Sequence, residues 1–218
     1  MTHVLRLGVD DDVRVFDGRG REWIGRVASV GKAGVTVEMF REVKPVAEPA
    51  VRVTLAVAVL KGDHMDGVVR DATMLGVTEI VPISSEHVTV PDRAWQSGVA
   101  VERWQRIAVA SAKQCGRAVV PAIAPVSPLE AILANRPVDV RLMCVEPDHA
   151  GAKKVAVTVA SPPQTALALV GPEGGWTIAE IELAARHGAR LVHLGPRTLR
   201  AETAPTVLLS ALWTVWGW

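Results

Sequence analysis

Tyrosine is absent from the 218-residue chain, and phenylalanine occurs only twice. Any stacking of side chains on nucleobases would fall to the seven tryptophans. Cys115 and Cys144 are the only two cysteines and lie far apart. That excludes a disulfide framework and a cysteine-based zinc motif, and fits reduced thiols. The six histidines show no His-x-Glu or His-Glu-x-x-His spacing, so no metal is expected. No apolar run approaches the roughly 20 residues of a membrane span, and Met1-Thr2-His3-Val4-Leu5-Arg6 has no signal-peptide pattern. The expected location is cytoplasmic. Internal repeats and low-complexity segments are missing. So is an excess of one charge: the formal net charge is +1, which does not announce a nucleic-acid binder but leaves room for a local basic face. Neither Gly-x-Gly-x-x-Gly nor Gly-x-x-x-x-Gly-Lys-Ser/Thr is present, which argues against an ordinary nucleotide-binding α/β enzyme.

What is present is a core-forming composition, 49% hydrophobic, of a length that suits one large domain or a small one beside a larger one. The chemistry gathers near the C-terminus. Residues 166–170 form an apolar run short enough for one buried strand, and Gly171-Pro172 stops it. Gly174 and Gly175 follow, so the backbone there can take positive φ and let a ligand approach closely. Thr177 and Glu180 form a Thr-x-x-Glu capping box, which predicts a helix over 178–187 closed by Gly188. The pattern then repeats. Residues 190–194 read as a strand, Gly195-Pro196 as its stop, and a polar loop over 197–203 leads into a helix over 204–216. Ligands of parallel sheets bind beyond the carboxyl ends of strands, and helix N-termini favour anions. The two loops are therefore the candidate cleft, with Glu173, Arg200 and Glu202 set among small residues.

Upstream, residues 1–44 read as all-β, with strands over 13–16, 22–30 and 35–41 separated by Gly-containing turns. This predicts a small barrel or meander, with few strands for an independent core. The Pro-containing link Lys44-Pro45-Val46-Ala47-Glu48-Pro49 marks a boundary between a domain over 1–46 and another over 50–218. Beyond it, a strand over 51–60, a helix over 66–75 and a strand over 79–83 make the βαβ unit of a parallel sheet. A long amphipathic helix over 93–114 carries Val101, Trp104, Ile107, Ala108 and Ser111 on one stripe, with Arg103, Arg106 and Lys113 off it. Those charges are either a solvated face or, for Arg106, Lys113 and Arg117, an RNA contact. Ser127-Pro128-Leu129-Glu130 predicts a second capping box, with a helix running to Ala134. A strand over 139–145 follows.

Gly171-Pro172-Glu173-Gly174-Gly175, followed by Leu194-Gly195-Pro196-Arg197-Thr198-Leu199-Arg200-Ala201-Glu202-Thr203-Ala204, resembles the RsmE family of ribosomal RNA small-subunit uridine-N3 methyltransferases. Lys61-Gly62-Asp63-His64-Met65-Asp66, Leu75-Gly76-Val77-Thr78-Glu79-Ile80-Val81-Pro82, Arg103-Trp104-Gln105-Arg106-Ile107 and Gln114-Cys115-Gly116-Arg117 resemble it too, as do Val4-Leu5-Arg6-Leu7 and Phe16-Asp17-Gly18 at the front. The resemblance implies an α/β protein: a SPOUT domain with a parallel sheet and a deep trefoil knot, preceded by a PUA-like β-barrel that looks shortened. It implies S-adenosylmethionine (SAM) as cofactor, N3 of one uridine in 16S rRNA as methyl acceptor, small-subunit particles as substrate, and a homodimer. Asp71, Met74, His87, Ala110 and Lys113 depart from the residues usual at their positions.

The resemblance also implies residue roles. Gly171, Pro172, Glu173, Gly174, Leu194, Gly195, Leu199 and Thr203 become cofactor-binding positions. Arg6, Arg106, Lys113 and Arg117 become the RNA-facing set. Arg200 is expected to stabilise negative charge on a uracil carbonyl oxygen, and Glu202 to position the base or relay its proton. At Glu202 a capping role beside Thr203 stands equally open, and at Glu173 a partnership with the following helix dipole. Trp213 and Trp216 on the last helix, with Trp218 just beyond it, suit either a subunit interface or plain core. Two other functions stay in view: a non-catalytic knotted RNA-binding protein, and a SPOUT methyltransferase acting at another RNA position.

Overall fold

The computed structural model describes residues 7–32, 34–91, 95, 98–159 and 161–217. Arg6, the predicted helix start at Arg93, and Trp218 lie outside the described residues. The chain divides into two compact units, Met1–Ala47 with Ala112–Val120, and Glu48–Ser111 with Pro121–Trp218.

In the first unit, β1 (Asp12–Phe16), β2 (Glu22–Gly31) and β3 (Gly34–Val43) form an antiparallel meander in the order β1-β2-β3. Val27 on β2 is completely buried, whereas the adjacent Met39 and Phe40 of β3 are both exposed. The Arg21 guanidinium lies 4.9 Å from the Trp23 ring centre, and that of Arg26 lies 5.7 Å from the Phe40 ring centre. Arg21 also donates two hydrogen bonds to the Glu42 carboxylate. Segment 112–120 joins this unit through Gly20 N–H, which donates to the Ala118 carbonyl.

The second unit is built on an eight-stranded sheet whose pairings are all parallel. Its strands are β4 (Arg52–Ala58), β5 (Glu79–Ser84), β6 (Ala122–Ile123), β7 (Ser127–Pro128), β8 (Val140–Cys144), β9 (Lys153–Lys154), β10 (Thr165–Val170) and β11 (Ala189–His193). The order is β6-β5-β4-β10-β8-β11-β9, with β7 beside β5. Helices on both faces explain why the central strands are continuous apolar runs rather than alternating ones. Leu55, Ala56, Val57, Leu167, Ala168 and Leu169 are all fully buried. The helices are α1 (His64–Met74), α2 (Val99–Cys115), α3 (Leu129–Asn135), α4 (Val155–Thr158), α5 (Ile178–Arg186) and α6 (Ala204–Trp216).

One expected cap is absent. Ser127 and Pro128 are extended and pair with Ile83 and Ser84 at the sheet edge. The Ser127 hydroxyl donates to the Pro125 carbonyl, and Pro128 takes the N-cap position of α3 without a side-chain bond. Edge pairing thus consumes the residue that the Ser-x-x-Glu spacing assigned to capping. Thr203, at the N-cap of α6, makes no capping bond either. On α6 itself, Leu208, Leu209 and Leu212 are fully buried, and the Trp216 indole N–H donates to the Val159 carbonyl at 2.8 Å. Trp216 is therefore core within this chain.

Candidate active site

Four neighbouring strands, β4, β10, β8 and β11, end on one edge of the sheet, and a cleft of about 550 Å³ opens there. That size falls within the roughly 300–1,000 Å³ usual for small-molecule sites. Each strand contributes the residues just beyond its carboxyl end. Lys61 and His64 follow β4; Val145, Glu146 and Pro147 follow β8 beside Cys144. The loop after β10 supplies Gly171, Pro172, Glu173, Gly175 and Trp176. The loop after β11 supplies Leu194, residues 197–202 and Ala204. β10 lies between β4 and β8, so the chain's last two strand–loop–helix units bring both Gly-Pro turns to the same edge.

The first loop is fixed by its own side chains. The indole of Trp176 donates to the Cys144 carbonyl at 3.0 Å and lies against Gly171, where an added Cβ would come 3.0 Å from the ring. Gly175 closes a turn on the Pro172 carbonyl at φ +71°, a conformation that favours glycine. Thr177 and Glu180 form the expected capping box at the start of α5. The Glu180 carboxylate does more than cap: its second oxygen accepts from the Glu86 N–H at 3.1 Å. His87 then places Nδ1 2.9 Å from the Gly174 carbonyl oxygen and 3.1 Å from that of Gly175. Both neighbours are acceptors, so this nitrogen carries the proton. Glu173 accepts from the Lys61 N–H at 3.3 Å, tying the β10 loop to the β4 loop.

The second loop is a tight turn. Arg200 offers its carbonyl to the N–H groups of Thr203 and Ala204 at 2.9 and 3.0 Å, and the Arg200 side chain stays 83% exposed. Glu202 is more sheltered, 25% exposed, and lies 3.3 Å from His64 Nδ1 and 3.9 Å from the Arg200 guanidinium. A chemically usable trio therefore sits at one side of the cleft: a cation, a carboxylate and an imidazole. On the floor, burial and the nearby Glu146 charge push the Cys144 thiol up to about 12, so it is a neutral packing group. Among the described residues, no group of three or more His, Cys, Asp or Glu gathers to hold a metal ion, and no helix is long and apolar enough to cross a membrane.

Of the residues singled out from sequence, Gly171, Pro172, Glu173, Leu194, Leu199, Arg200 and Glu202 line this one cleft. Gly174, Gly195 and Thr203 are not among its lining residues. An added Cβ on Gly174 would strike His87, and Thr203 lines a neighbouring hollow instead. Arg106 and Lys113 are exposed on α2, but Arg117 is buried, only 6% exposed, which removes it from the solvent-facing set. Sequence reading missed His64, Trp176 and the Glu146-Pro147 loop as site residues. Glu146-Pro147 carried the only visible signal, a strand end followed by proline.

The RNA methyltransferase domain family matches residues 47–213, and the RNA methyltransferase PUA domain family matches residues 1–40. Ribosomal RNA small subunit methyltransferase E of Synechocystis is 32% identical over 97% of this chain and 69% of its own. The chain belongs to the ribosomal RNA small subunit methyltransferase E family. Among solved structures, the Neisseria gonorrhoeae member of this methyltransferase family, bound to S-adenosyl methionine, superposes with a TM-score of 0.89 at 31% identity, covering 99% of this chain and 87% of that one. A Legionella pneumophila protein in complex with the cofactor SAM superposes with a TM-score of 0.90 at 29% identity, covering 98% of this chain and 86% of that one.

Proposed function

We propose that this methyltransferase transfers the methyl group of SAM to N3 of a uridine in 16S rRNA. The observation that carries the reading is the convergence of four strand ends on one cleft with Arg200 and Glu202 at its side. The donor set fits SAM. Leu194, Leu199, Val145 and Val170 give apolar walls for an adenine, and the carboxylates of Glu146, Glu173 and Glu202 suit a cofactor carrying sulfonium and ammonium charges. Lys61 and Arg197 suit its carboxylate. When bound, SAM supplies an electrophilic methyl carbon; the protein supplies orientation, water exclusion and charge.

The acceptor nitrogen of uracil carries a proton at neutral pH, so methylation needs a place for that proton and for the charge left on the ring. The exposed Arg200 guanidinium is long enough to meet a carbonyl oxygen of the base, stabilising the anion as an oxyanion donor does. Glu202, held between His64 and Arg200, orients that guanidinium and sits on the proton's path. Arg6, Arg106 and Lys113 are the proposed partners of RNA phosphates, and the Arg21–Trp23 and Arg26–Phe40 pairs on the meander are further candidates.

The finer architecture belongs to the same proposal. The meander is part of a PUA-like β-barrel over 1–46, and residues 50–218 form a SPOUT domain whose C-terminal segment passes through a loop as a trefoil knot. Two subunits pair, and small-subunit particles in the cytoplasm are the substrate. Reverse transcription of 16S rRNA tests the target, because an N3-methyl group blocks the Watson–Crick edge and stops the polymerase. The stop is expected to vanish in a strain lacking the gene and to return when the purified protein and SAM are added. A stop that persists without the protein assigns the modification elsewhere.

A further inference from the structure

A second hollow, of about 670 Å³, lies beside the first and is lined by Asp63, Asp66, Arg70, Asp71, Ile107, Thr203 and Thr206. His64 and Glu202 line both hollows. They therefore stand where a donor held in the first hollow and a base entering from the second would meet. In the second hollow, Asp66 is paired with Arg103 and Asp71 with Arg70. Two of its carboxylates are thus neutralised, which lowers the barrier to an RNA strand.

We infer that His64, oriented by Glu202, is the general base that removes the N3 proton. The inference rests on the methyl-transfer reading above and adds an acceptor to it. His64 Nδ1 lies 3.3 Å from Glu202 Oε1, a contact that favours the proton on Nδ1 and would leave the Nε2 lone pair to accept one. An imidazole oriented by a carboxylate on its far nitrogen is the arrangement by which hydrolases abstract a proton, and the carboxylate stabilises the imidazolium that forms. The Glu202 carboxylate is already engaged by both His64 and Arg200, which leaves the imidazole as the acceptor. Arg200 cannot accept a proton at all.

The step balances. The N3–H bond breaks and its proton goes to His64 Nε2. The nitrogen electron pair forms the new bond to the methyl carbon, and the carbon–sulfur bond breaks with its electrons returning to sulfur. The imidazolium then gives its proton to water. The charged groups facing His64 are distributed around it: Asp63 and Asp66 on its own loop and helix, and Lys61 before them. From the β11 loop come Glu202, Arg200 and Arg197, and from the β10 loop Glu173. Arg70 and Asp71 also line the second hollow, and the Glu202 carboxylate stands beside the imidazole, where it stabilises a transient imidazolium.

The test uses the full chain, SAM and unmethylated 16S rRNA particles. His64→Gln is expected to bind SAM as the wild type does by calorimetry and to lose about 10²–10⁴-fold in kcat. Its residual rate should rise tenfold per pH unit, where the wild-type rate levels off. RNA carrying 5-fluorouracil, whose N3 proton is more acidic, should restore much of that loss. Long-range proton–nitrogen NMR of the protein without SAM should show His64 as the Nδ1–H tautomer. A variant slowed equally at every pH and not restored by 5-fluorouracil, or an Nε2–H tautomer, overturns the assignment. Wild-type protein that methylates no uridine N3 overturns the methyl-transfer reading instead.

Discussion

The Trp176 indole packs against Gly171, and its N–H donates to the Cys144 carbonyl at 3.0 Å. This contact joins the ends of β10 and β8 and forms part of the cleft wall. Gly171→Ala would place a methyl group 3.0 Å from the ring. Overpacking of this kind costs about 1–3 kcal/mol. The variant is expected to melt at lower temperature and to bind SAM more weakly, measured by calorimetry of both transitions.

Glu180 serves two partners, capping α5 through Thr177 and accepting from Glu86 N–H. Glu180→Ala removes the acceptors of the Thr177 and Glu86 N–H groups but keeps the bond from the residue-180 N–H to the Thr177 hydroxyl. Loss of one such hydrogen bond costs about 1 kcal/mol, or roughly 2–4 °C in Tm for a chain of this size. The melting curve should fall by at least that amount, and loop 171–177 should exchange its amide hydrogens faster. A shift confined to α5 would show that Glu86 contributes nothing.

Arg200 makes its backbone bonds through its carbonyl, while its side chain is 83% exposed. Arg200→Ala therefore leaves the turn intact. SAM affinity should hold, and transfer should drop about 10²–10³-fold, the loss usual for one oxyanion donor. Loss of SAM binding instead would make Arg200 a cofactor residue.

Cys115 is exposed and Cys144 is not, its thiol pushed up to about 12 by burial and Glu146. Alkylation at pH 8 followed by mass spectrometry should label Cys115 first. The raised folded-state value also sets a sign. Below the ordinary thiol value of 9.0 both states hold the proton and stability is unaffected. Between 9.0 and about 12 only the unfolded chain loses it, so stability falls as pH rises through that window, and Cys144→Ser should flatten the fall.

The sequence carried what is local. The Gly-Pro stops, the Thr177–Glu180 box and the limits of α6 follow from residues within a few positions of one another, and the structure places them as read. What depends on sheet order was invisible. Nothing near Glu146 or His64 announces that β8 and β4 flank β10. Gly171 was legible as a special backbone position, but the ring it admits is Trp176. Ser127 carried a valid capping signal that edge pairing with Ile83 overrode. Arg117 looked like a cation for RNA, and its burial follows from contacts of segment 112–120 that no periodicity reveals.

A crystal structure of this protein soaked with SAM shows most directly whether the cleft at the ends of β4, β10, β8 and β11 holds the methyl donor against Arg200 and Glu202. Density is expected between residues 171–176 and 194–204, with the sulfonium methyl facing the His64–Glu202 pair. Density in another hollow, or a methyl group directed away from that pair, would contradict this placement of the donor.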